Sequence, residues 1–591
     1  MPDPDPTIVA ETPATPPRGA ARLLPWLVLV LSILILWHSA GNHPLYSPDE
    51  GRYGTASMHM ADGGSWIIPW YRGEAHLTKP PLTYWVQALS LRMLGHGELG
   101  LRAPSLLAGS LTVLLLFLTT RRLAGSGAAA LATGTLVMMP LYMLVNRLAT
   151  TDAMLTFFWF AAIVCGCFTV TTGRGIWPVL MWAAIACGLL TKGPLALVPV
   201  GLLLIWLLLA ENARGIGRLR ILIGFALSIL PIILWVLLVL HEDRGALETW
   251  RHEMLDRVTG NGGAHPEAVY FYVPYFLVGL FPATGMLTVP GWNLTWRAAW
   301  QKLRTGEPAA LFAIAVVAPL LMFTLFSGKL VTYLLPLCAP LALLNGVMLS
   351  RWLTGQADRP APQTRPPEVV ATLAISAILG IGAMMGVAAW LKPELLRFSP
   401  PLLLMPLACL WTWRIWKRRP RRRAMGLLVV YLTWMLGWCC TFAMEDKAHE
   451  PHSAAACARR LQSITDAARP DIYLFGFTDP TLSFYNRKEV ERIYRISQVE
   501  AIARREDSKG VALLIDRDAV EEFRERFHRA AALQDGDSVG ASRAGDGQAA
   551  AFTCVGRWDR SITHTTAIFI PTRRARKLEA VPFQERFDPG N

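Results

Sequence analysis

The run "LLPWLVLVLSILILW" at residues 23–37 is followed closely by "YSPDEGRYGTASMHMADGGSWIIPWYRGEAHLTKPPLTYW" at residues 46–85. The first run is apolar apart from Ser32, as is typical of a segment in lipid. The second opens with two adjacent carboxylates, Asp49 and Glu50, and then presents a lysine, Lys79, followed by two prolines that restrict its backbone. A chain that leaves the bilayer and at once presents both signs of charge suggests a membrane protein with chemistry at the membrane surface.

The pattern of long apolar runs recurs through most of the chain. Hydrophobic residues make up 53% of its 591 residues and charged ones 17%, a balance typical of lipid-embedded proteins. Apolar stretches of about 18 to 22 residues match a hydrocarbon core of ~30 Å. They predict a polytopic α-helical membrane protein with about thirteen transmembrane spans. The predicted spans centre near residues 31, 111, 133, 162, 184, 202, 230, 280, 317, 340, 380, 408 and 433.

Basic residues in the breaks between spans predict the orientation, because Lys and Arg resist translocation. With thirteen spans these breaks fall on one side, and the strongest is "KRRPRRR" at 417–423. The N-terminus is then cytoplasmic and residues 443–591 are external. The net charge of +14 reflects this topology and contact with anionic membrane lipids. The basic runs lack interleaved exposed aromatics, so no nucleic-acid partner is expected.

Composition divides the chain into three parts. Residues 1–22 form a cytoplasmic tail, and 23–442 form the transmembrane domain with an external loop at 41–102. Within that loop "YGTASMHMADG" and "LTYWVQALSLRML" have the apolar stripe of helices that lie flat in the interface. Residues 443–591 form a small α/β domain, in which "DIYLFGF", "GVALLID" and "HTTAIFIP" predict strands and "RDAVEEFRERFHRAAAL" predicts a helix.

The acids and lysines gather at the outer ends of the predicted spans. This placement suits a substrate whose tail stays in the bilayer while its polar head meets water, such as a lipid-linked sugar phosphate. Its leaving phosphate is weakly basic, so the reaction needs cations more than a strong general acid. The acceptor needs a carboxylate that takes its proton. Asp49 supplies that base and Lys79 supplies a cation.

The same loop resembles the first external loop of the bacterial aminoarabinose transferases that modify lipid A. These belong to the wider GT-C superfamily, which includes the protein O-mannosyltransferases. "NRLATTDAMLTFF", "GLLTKGPLAL", "LFSGKLVTYLLPL" and "GFTDPTLSFYNR" follow in the family's order, so the resemblance spans most of the chain. It implies a GT-C glycosyltransferase of the bacterial inner membrane with its active site and C-terminal domain on the periplasmic side. The implied donor is an undecaprenyl-phosphate sugar, and the implied acceptor is lipid A or another envelope glycoconjugate.

The resemblance also implies roles for individual residues. Asp49 matches the catalytic aspartate and Asp152 a second essential aspartate, with Glu50 beside the first. Donor-phosphate binding is implied for a basic and aromatic set: Lys79, Arg52, Lys329, Tyr333 and Lys192. His265 resembles a histidine implicated in metal or phosphate contact. Some relatives place a metal-ligating Glu directly before the lysine, where this chain has Thr78, so a divalent metal remains open.

Structural explanations stand beside these roles. Asp49 and Glu50 suit the start of an interfacial helix, and Asp152 could be the N-cap of the next span. Lys192 could be a snorkelling anchor, and Tyr333 an aromatic-belt residue.

Other functions and features are left open by the sequence. A related GT-C enzyme could use another sugar or acceptor. A flippase or transporter would show charged or broken helices at mid-membrane, which the sequence lacks. An O-antigen-type ligase would lack the aspartate after the first span. Cys457 and Cys554 fall in the external part, where a disulfide between them is left open.

Overall fold

The computed structural model describes residues 22–46, 48–246, 248, 267–286, 301, 304–326, 328–354, 411, 423–449, 453–465, 467, 469–475, 479–488, 490–493, 498, 502, 511–516, 552–561 and 564–571. Four predicted features lie outside these residues: the tail apart from Arg22, the spans near 380 and 408, the helix in 517–533, and His265.

The described part of the chain is mostly helical as far as residue 465. The helices are α1 (Leu24–Trp37), α2 (Asp49–Ala61), α3 (Leu82–Leu94), α4 (Glu98–Met138), α5 (Pro140–Val145), α6 (Thr151–Thr172), α7 (Ile176–Lys192), α8 (Val198–Leu209), α9 (Ala213–Arg218), α10 (Ile221–Glu242), α11 (Tyr272–Gly279), α12 (Ala283–Met286), α13 (Pro308–Leu325), α14 (Cys338–Thr354), α15 (Arg423–His449), α16 (Ala454–Thr465) and α17 (Pro480–Asn486). Short 3₁₀ segments at Gly193–Leu197 and Val331–Leu337 precede α8 and α14.

Helix α4 contains two of the predicted spans. Its 41 residues would extend about 60 Å if straight, twice the thickness of the hydrocarbon core. The helix breaks at Gly125, where φ is 84° and ψ is 171°. A residue with a Cβ rarely adopts such a positive φ, so glycine allows the chain to turn back at this point. The predicted centres at 111 and 133 lie on either side of the break.

The chain is a multi-pass membrane protein. Within the described ranges, six helical stretches are long and apolar enough to cross a bilayer, in Glu98–Met138, Thr151–Thr172, Ile176–Leu209, Ala213–Glu242, Pro308–Leu325 and Val331–Arg351. Many large apolar side chains on these helices are exposed, for example Leu222 (87%) and Leu325 (84%). Exposed apolar surface of this kind on a transmembrane helix faces lipid. The membrane-type helical fold predicted from the sequence is confirmed.

The loop between α1 and α4 has a defined structure. Both segments predicted as interfacial helices are helical, as α2 and α3. A small hairpin, β1 (Trp70–Tyr71) and β2 (Glu74–Ala75), lies between them. Leu82 and Val86 of α3 pack against Ala153 and Met154 at the start of α6. The loop is therefore packed onto the transmembrane helices at the end where α6 begins.

The C-terminal part contains a mixed five-stranded sheet. Its strands are β3 (Asp471–Phe475), β4 (Glu491–Ile493), β5 (Val511–Asp516), β6 (Phe552–Ser561) and β7 (His564–Pro571), in the spatial order β4-β3-β5-β7-β6. Strand β3 pairs in parallel with β4 and β5, whereas β7 pairs antiparallel with β5 and β6. The three strands predicted from the sequence are confirmed as β3, β5 and β7.

Candidate active site

Glu50 is buried in an ion pair with Arg102 of α4. Its side chain is 1% exposed and that of Arg102 is 0% exposed. The guanidinium donates to both carboxylate oxygens, from Nε to Oε1 over 2.8 Å and from Nη2 to Oε2 over 2.7 Å. Its remaining donors reach the carbonyls of Ala40, His43 and Pro44 at 2.7–3.0 Å. All five N–H donors of Arg102 are used, which satisfies a charge that burial would otherwise make costly.

Glu50 also joins the two segments that carry the predicted catalytic aspartates. The backbone N–H of Tyr46 donates to Oε2 and that of Ala149 donates to Oε1, each over 2.8 Å. Ala149 precedes α6, whose first turn contains Asp152. With four contacts on its carboxylate, Glu50 fixes α2 against α6. These contacts give Glu50 a positioning role in the fold, and the catalytic role inferred from the sequence stays a prediction.

Asp49 and Arg52 face solvent on the opposite side of α2. Asp49 is the first residue of the helix and Arg52 follows three positions later, so both lie on one face. Both side chains are exposed. Asp49 is therefore accessible, whereas the neighbouring Glu50 is buried.

His76 lies near the cations predicted to bind phosphate. Its imidazole ring is surrounded by three tyrosine rings, Tyr53, Tyr71 and Tyr84, with centroid separations of 5.6–6.4 Å. Burial, as the largest cause, and the charges of Arg52 and Lys79 together lower the pKa of His76 from 6.5 to about 4. The imidazole is therefore neutral at neutral pH.

A second group of predicted residues meets at the ends of α6 and α7. Lys192 Nζ donates to Asp152 Oδ1 over 2.6 Å, and the two side chains are 10% and 13% exposed. The same Nζ lies 5.2 Å from the ring centroid of Tyr333. The three line one cleft. Asp152 is not the N-cap of α6, a position held by Thr150.

Two buried polar atoms beside the same cleft lack hydrogen-bond partners among the described residues. Thr156 and Trp159 line it and are each 1% exposed. Within the described part of the chain, neither Thr156 Oγ1 nor Trp159 Nε1 has a hydrogen-bond partner. A buried donor without a partner is costly, and the cleft has about 10 Å³ of free space, so it has room for one small polar group beside these atoms.

Lys329 and His265 are not brought into these groups. The Lys329 side chain is 4% exposed, and its Nζ donates to the carbonyl of Glu267 over 2.8 Å. This contact joins residues 267 and 329, and the predicted role of Lys329 in phosphate binding stays a prediction. His265 lies outside the described residues, and among those described no group of three or more His, Cys, Asp or Glu residues could hold a metal ion.

The C-terminal part closes over α2 through α17. A Cβ on Gly51 would lie 2.5 Å from Thr481 N, so only glycine allows the two backbones to approach this closely. Tyr485 Oη accepts from the backbone N–H of Leu45 over 2.8 Å and donates to Glu98 Oε1 over 2.9 Å. The helix that carries Asp49 is thus held between the membrane part and the C-terminal part.

Sequence reasoning missed Arg102 and His76. Arg102 stands in the otherwise mostly apolar stretch "ELGLRAPSLLAG", and a lone cation there signals a buried carboxylate partner. His76 stands three residues before Lys79, within the quoted loop, but its spacing alone does not distinguish it from other loop histidines. Its proximity to Arg52 appears only when the hairpin folds back on α2.

Comparison with known proteins identifies a matching family model and similar sequences. Residues 78–238 match the family model described as dolichyl-phosphate-mannose-protein mannosyltransferase. The chain is 33% identical over 347 residues to an undecaprenyl phosphate-alpha-4-amino-4-deoxy-L-arabinose arabinosyl transferase of Pseudomonas paraeruginosa, covering 56% of this chain and 61% of the relative. The protein of the same name from Edwardsiella ictaluri is 31% identical over 351 residues, covering 57% and 61%. The chain thus aligns with about three fifths of the length of these relatives.

The structure extends the similarity beyond these alignments. The crystal structure of ArnT from Cupriavidus metallidurans bound to undecaprenyl phosphate superposes with a TM-score of 0.72 at 21% identity, covering 93% of this chain and 98% of that one. Its apo form gives a TM-score of 0.69 over the same fractions. At this identity the likeness shows the fold. The chain therefore has the fold of the ArnT crystal structure, and in sequence it resembles the bacterial undecaprenyl phosphate-alpha-4-amino-4-deoxy-L-arabinose arabinosyl transferases.

Proposed function

We propose that this chain moves a sugar from a polyprenyl phosphate to an acceptor in the outer leaflet of the bacterial inner membrane. The proposed sugar is 4-amino-4-deoxy-L-arabinose and the proposed acceptor is lipid A. One observation carries the proposal: Asp49 and Arg52 are exposed on the same side of α2, and Tyr53 of that helix contacts His76, which stands three residues before Lys79. A base and cations in one loop are what sugar transfer from a lipid phosphate requires.

In the proposed mechanism Asp49 takes the proton from the acceptor hydroxyl as its oxygen attacks the anomeric carbon. The bond between that carbon and the phosphate oxygen breaks, and the electron pair leaves with the phosphate. Arg52 and Lys79 offset the negative charge that develops on the phosphate. The phosphate leaves as a stable anion, so no residue needs to protonate it.

Asp152, Lys192 and Tyr333 form the proposed second half of the donor site. Their cleft offers a carboxylate and an ammonium group together with the unpartnered Thr156 Oγ1 and Trp159 Nε1. The cleft lies near Lys79 in the fold, because α3 begins three residues after Lys79 and packs on the start of α6. Hydroxyl or amino groups of the sugar are suitable partners for such a mixed set.

The names of the relatives support this choice of donor and sugar. The solved structure with the same fold holds undecaprenyl phosphate, and the curated relatives are named as arabinosyl transferases that use it. The proposed orientation places the site in the periplasm, because the basic breaks lie at the opposite ends of the helices.

We further propose that the reaction does not depend on a divalent metal. Thr78 stands where some related transferases place a metal-ligating carboxylate beside the lysine. A hydroxyl is a weak ligand, and Thr78 Oγ1 lies 3.4 Å from His76 Nε2. We expect activity to survive chelation at least in part, measured as sugar transfer with and without EDTA. Complete loss that zinc restores would contradict this.

The function can be tested by mass spectrometry of lipid A and other envelope glycoconjugates. Strains that lack the gene would carry wild type, Asp49→Asn or an empty vector. We expect lipid A to gain one aminoarabinose residue with wild type alone. Unchanged lipid A with an altered glycan elsewhere would instead indicate a related GT-C enzyme with another acceptor. No change in any glycoconjugate would contradict the proposal.

A further inference from the structure

A cavity rich in arginine lies at the ends of α6, α7 and α10 that are remote from the candidate active site. Helix α6 starts beside Asp152 and runs for 22 residues, about 33 Å, to Thr172. That length spans the hydrocarbon core, so the turn after α6 lies at the opposite membrane surface. A cavity of about 440 Å³ opens there, between this turn and the segment that joins α8 to α10. We name it the basal cavity.

Four arginines line the basal cavity: Arg174, Arg214, Arg218 and Arg220. The described residues that line it include no carboxylate. Glu211 lies in the same segment, but it pairs with Arg304 at 3.5 Å, which stands outside the lining. Four positive charges around one concavity repel each other, and an anion between them would offset that repulsion.

Two helix N-termini add to the positive potential of the cavity. Helix α7 begins after Gly175 and α10 begins after Arg220, and both of these residues line the cavity. Neither helix has a side-chain cap at this end. The first N–H groups of a helix have no partner within it, and they point toward the space before its first turn. A phosphate group suits such a position.

One of the arginines is fixed in place by the fold. Arg218 Nη1 donates to the carbonyl of Val170 near the end of α6 over 2.9 Å. This bond ties the α8–α10 segment to α6 and fixes one wall of the basal cavity. All four arginines are exposed to solvent.

Apolar surface continues directly from the cavity along two helices. Ile176 and Val179 of α7 are 55% and 58% exposed, and Leu222 and Ile223 of α10 are 87% and 66% exposed. On membrane-spanning helices such side chains face acyl chains. A ligand with a phosphate in the cavity and hydrocarbon tails along α7 and α10 would match both surfaces.

We propose that the basal cavity is a binding site for the headgroup of an anionic phospholipid. The site is distinct from the proposed donor site, since the two lie at opposite ends of α6 and α7. Ordinary orientation signals require only that basic residues lie on one side. They do not require four arginines and two uncapped helix ends around one cavity.

The test uses the full-length protein in nanodiscs of equal parts palmitoyl-oleoyl-phosphatidylglycerol and palmitoyl-oleoyl-phosphatidylcholine. Retained lipids are counted by native mass spectrometry after release into detergent. The double variant Arg174→Gln/Arg214→Gln removes two charges from the cavity and leaves the Arg218 bond intact. The control, Arg121→Gln/Arg351→Gln, removes two exposed charges from the same membrane surface, outside the cavity.

We expect wild type and control to retain phosphatidylglycerol over phosphatidylcholine, and the cavity variant to lose that preference by about 30-fold. Arg174→Lys/Arg214→Lys keeps the charge and should retain most of the preference, which separates charge loss from misfolding. Equal retention by cavity variant and control would overturn the proposal and leave the arginines as orientation signals.

A second arm titrates inorganic phosphate into the same samples. Displacement of phosphatidylglycerol from wild type would support a phosphate site that the lipid headgroup occupies. Binding of inorganic phosphate without lipid displacement, together with unaltered lipid retention by the cavity variant, would mean that the site takes a free anion, and the lipid proposal would be wrong.

Discussion

Asp49 and Glu50 are adjacent in sequence, yet their surroundings are opposite. Asp49 is exposed at the start of α2. Both carboxylate oxygens of Glu50, in contrast, accept hydrogen bonds from Arg102 and from two backbone N–H groups. The sequence identified the pair as important but could not separate their roles. Separation depends on an arginine 52 positions away, and that contact forms only when α2 packs on α4.

Asp49 and Lys79 should affect different steps of the proposed reaction. We expect Asp49→Asn to lower turnover by ~100-fold or more while leaving donor affinity nearly unchanged, because it removes the base and keeps the shape. Lys79→Ala should instead weaken donor binding by ~1.5–3 kcal/mol, because it removes a cation from the phosphate. Donor binding and sugar transfer would be measured for both variants in one nanodisc preparation. Near-normal transfer by Asp49→Asn would leave Asp49 as a helix-start residue only.

The buried pair of Glu50 and Arg102 predicts an asymmetric response to mutation. Arg102→Gln leaves a buried carboxylate without its cation, and we expect it to destabilise the protein by ~3–5 kcal/mol. Glu50→Gln combined with Arg102→Gln removes both charges and should recover part of that loss. Thermal unfolding in detergent compares the two. If the double variant is as unstable as the sum of both single variants, the charges are not coupled as the structure shows.

His76 predicts a loss of stability on acidification. Its pKa in the folded protein is about 4, below its ordinary value of 6.5, so the unfolded chain takes up the proton first. Stability should therefore fall as the pH drops from 6.5 toward 4. His43, whose pKa burial lowers to about 3, should contribute in the same direction.

The contribution of His76 can be isolated by substitution. We expect the melting temperature of His76→Gln to fall less than that of wild type between neutral pH and about pH 4. His59→Gln, at an exposed position of α2, serves as control and should follow wild type. If the melting temperature of His76→Gln falls as steeply with pH as that of wild type, the imidazole of His76 is not the cause.

Two features of the sequence predicted the helices and strands best. These were the length of the apolar runs and the composition of the short strand-forming segments. The break of α4 at Gly125 agrees with two separate predicted spans, and the interfacial segments form α2 and α3. The contact of α17 with α2 was not predictable. It depends on the close approach of two backbones at Gly51, and a single glycine does not produce a periodic pattern that sequence reading could recognise.

Gly51→Ala tests how tightly α17 must pack on α2. The new Cβ would lie 2.5 Å from Thr481 N and 2.7 Å from Pro480 C, and backbone atoms cannot yield as a flexible side chain can. We expect ~1–3 kcal/mol of destabilisation, faster proteolysis after residue 450, and loss of sugar transfer. Gly201→Ala in α8 meets nothing within 4 Å and should be neutral in the same assays. Wild-type behaviour of Gly51→Ala would show that the packing of α17 can relax.

For the whole molecule, composition predicted a multi-pass membrane protein, because repeated long apolar runs match the thickness of the hydrocarbon core. The count of thirteen remains a prediction, since two of the spans lie outside the described residues. Sidedness also stays a prediction, because helix ends with opposite charge do not by themselves identify the compartment.

Reporter fusions test the sidedness. A reporter fused after Arg423 should be active only in the cytoplasm, because it follows the basic run at 417–423. A reporter fused after residue 442 follows the apolar stretch Leu427–Cys439 and should be active only outside. External activity of the fusion at Arg423 would invalidate the thirteen-span topology and with it the proposed orientation of Asp49.

The bond network of Tyr485 has a consequence for biosynthesis. Translation proceeds from residue 1, so the transmembrane helices up to α15 are complete before the ribosome reaches the codon for Tyr485. Until then the segment around Leu45 and the side chain of Glu98 lack this partner, and α2 lacks the surface that α17 provides. A nascent or prematurely terminated chain therefore occupies the membrane without a finished site. If the proposed function is correct, the site is complete only when synthesis is complete, and a partly synthesised chain would leave the lipid-linked donor unused.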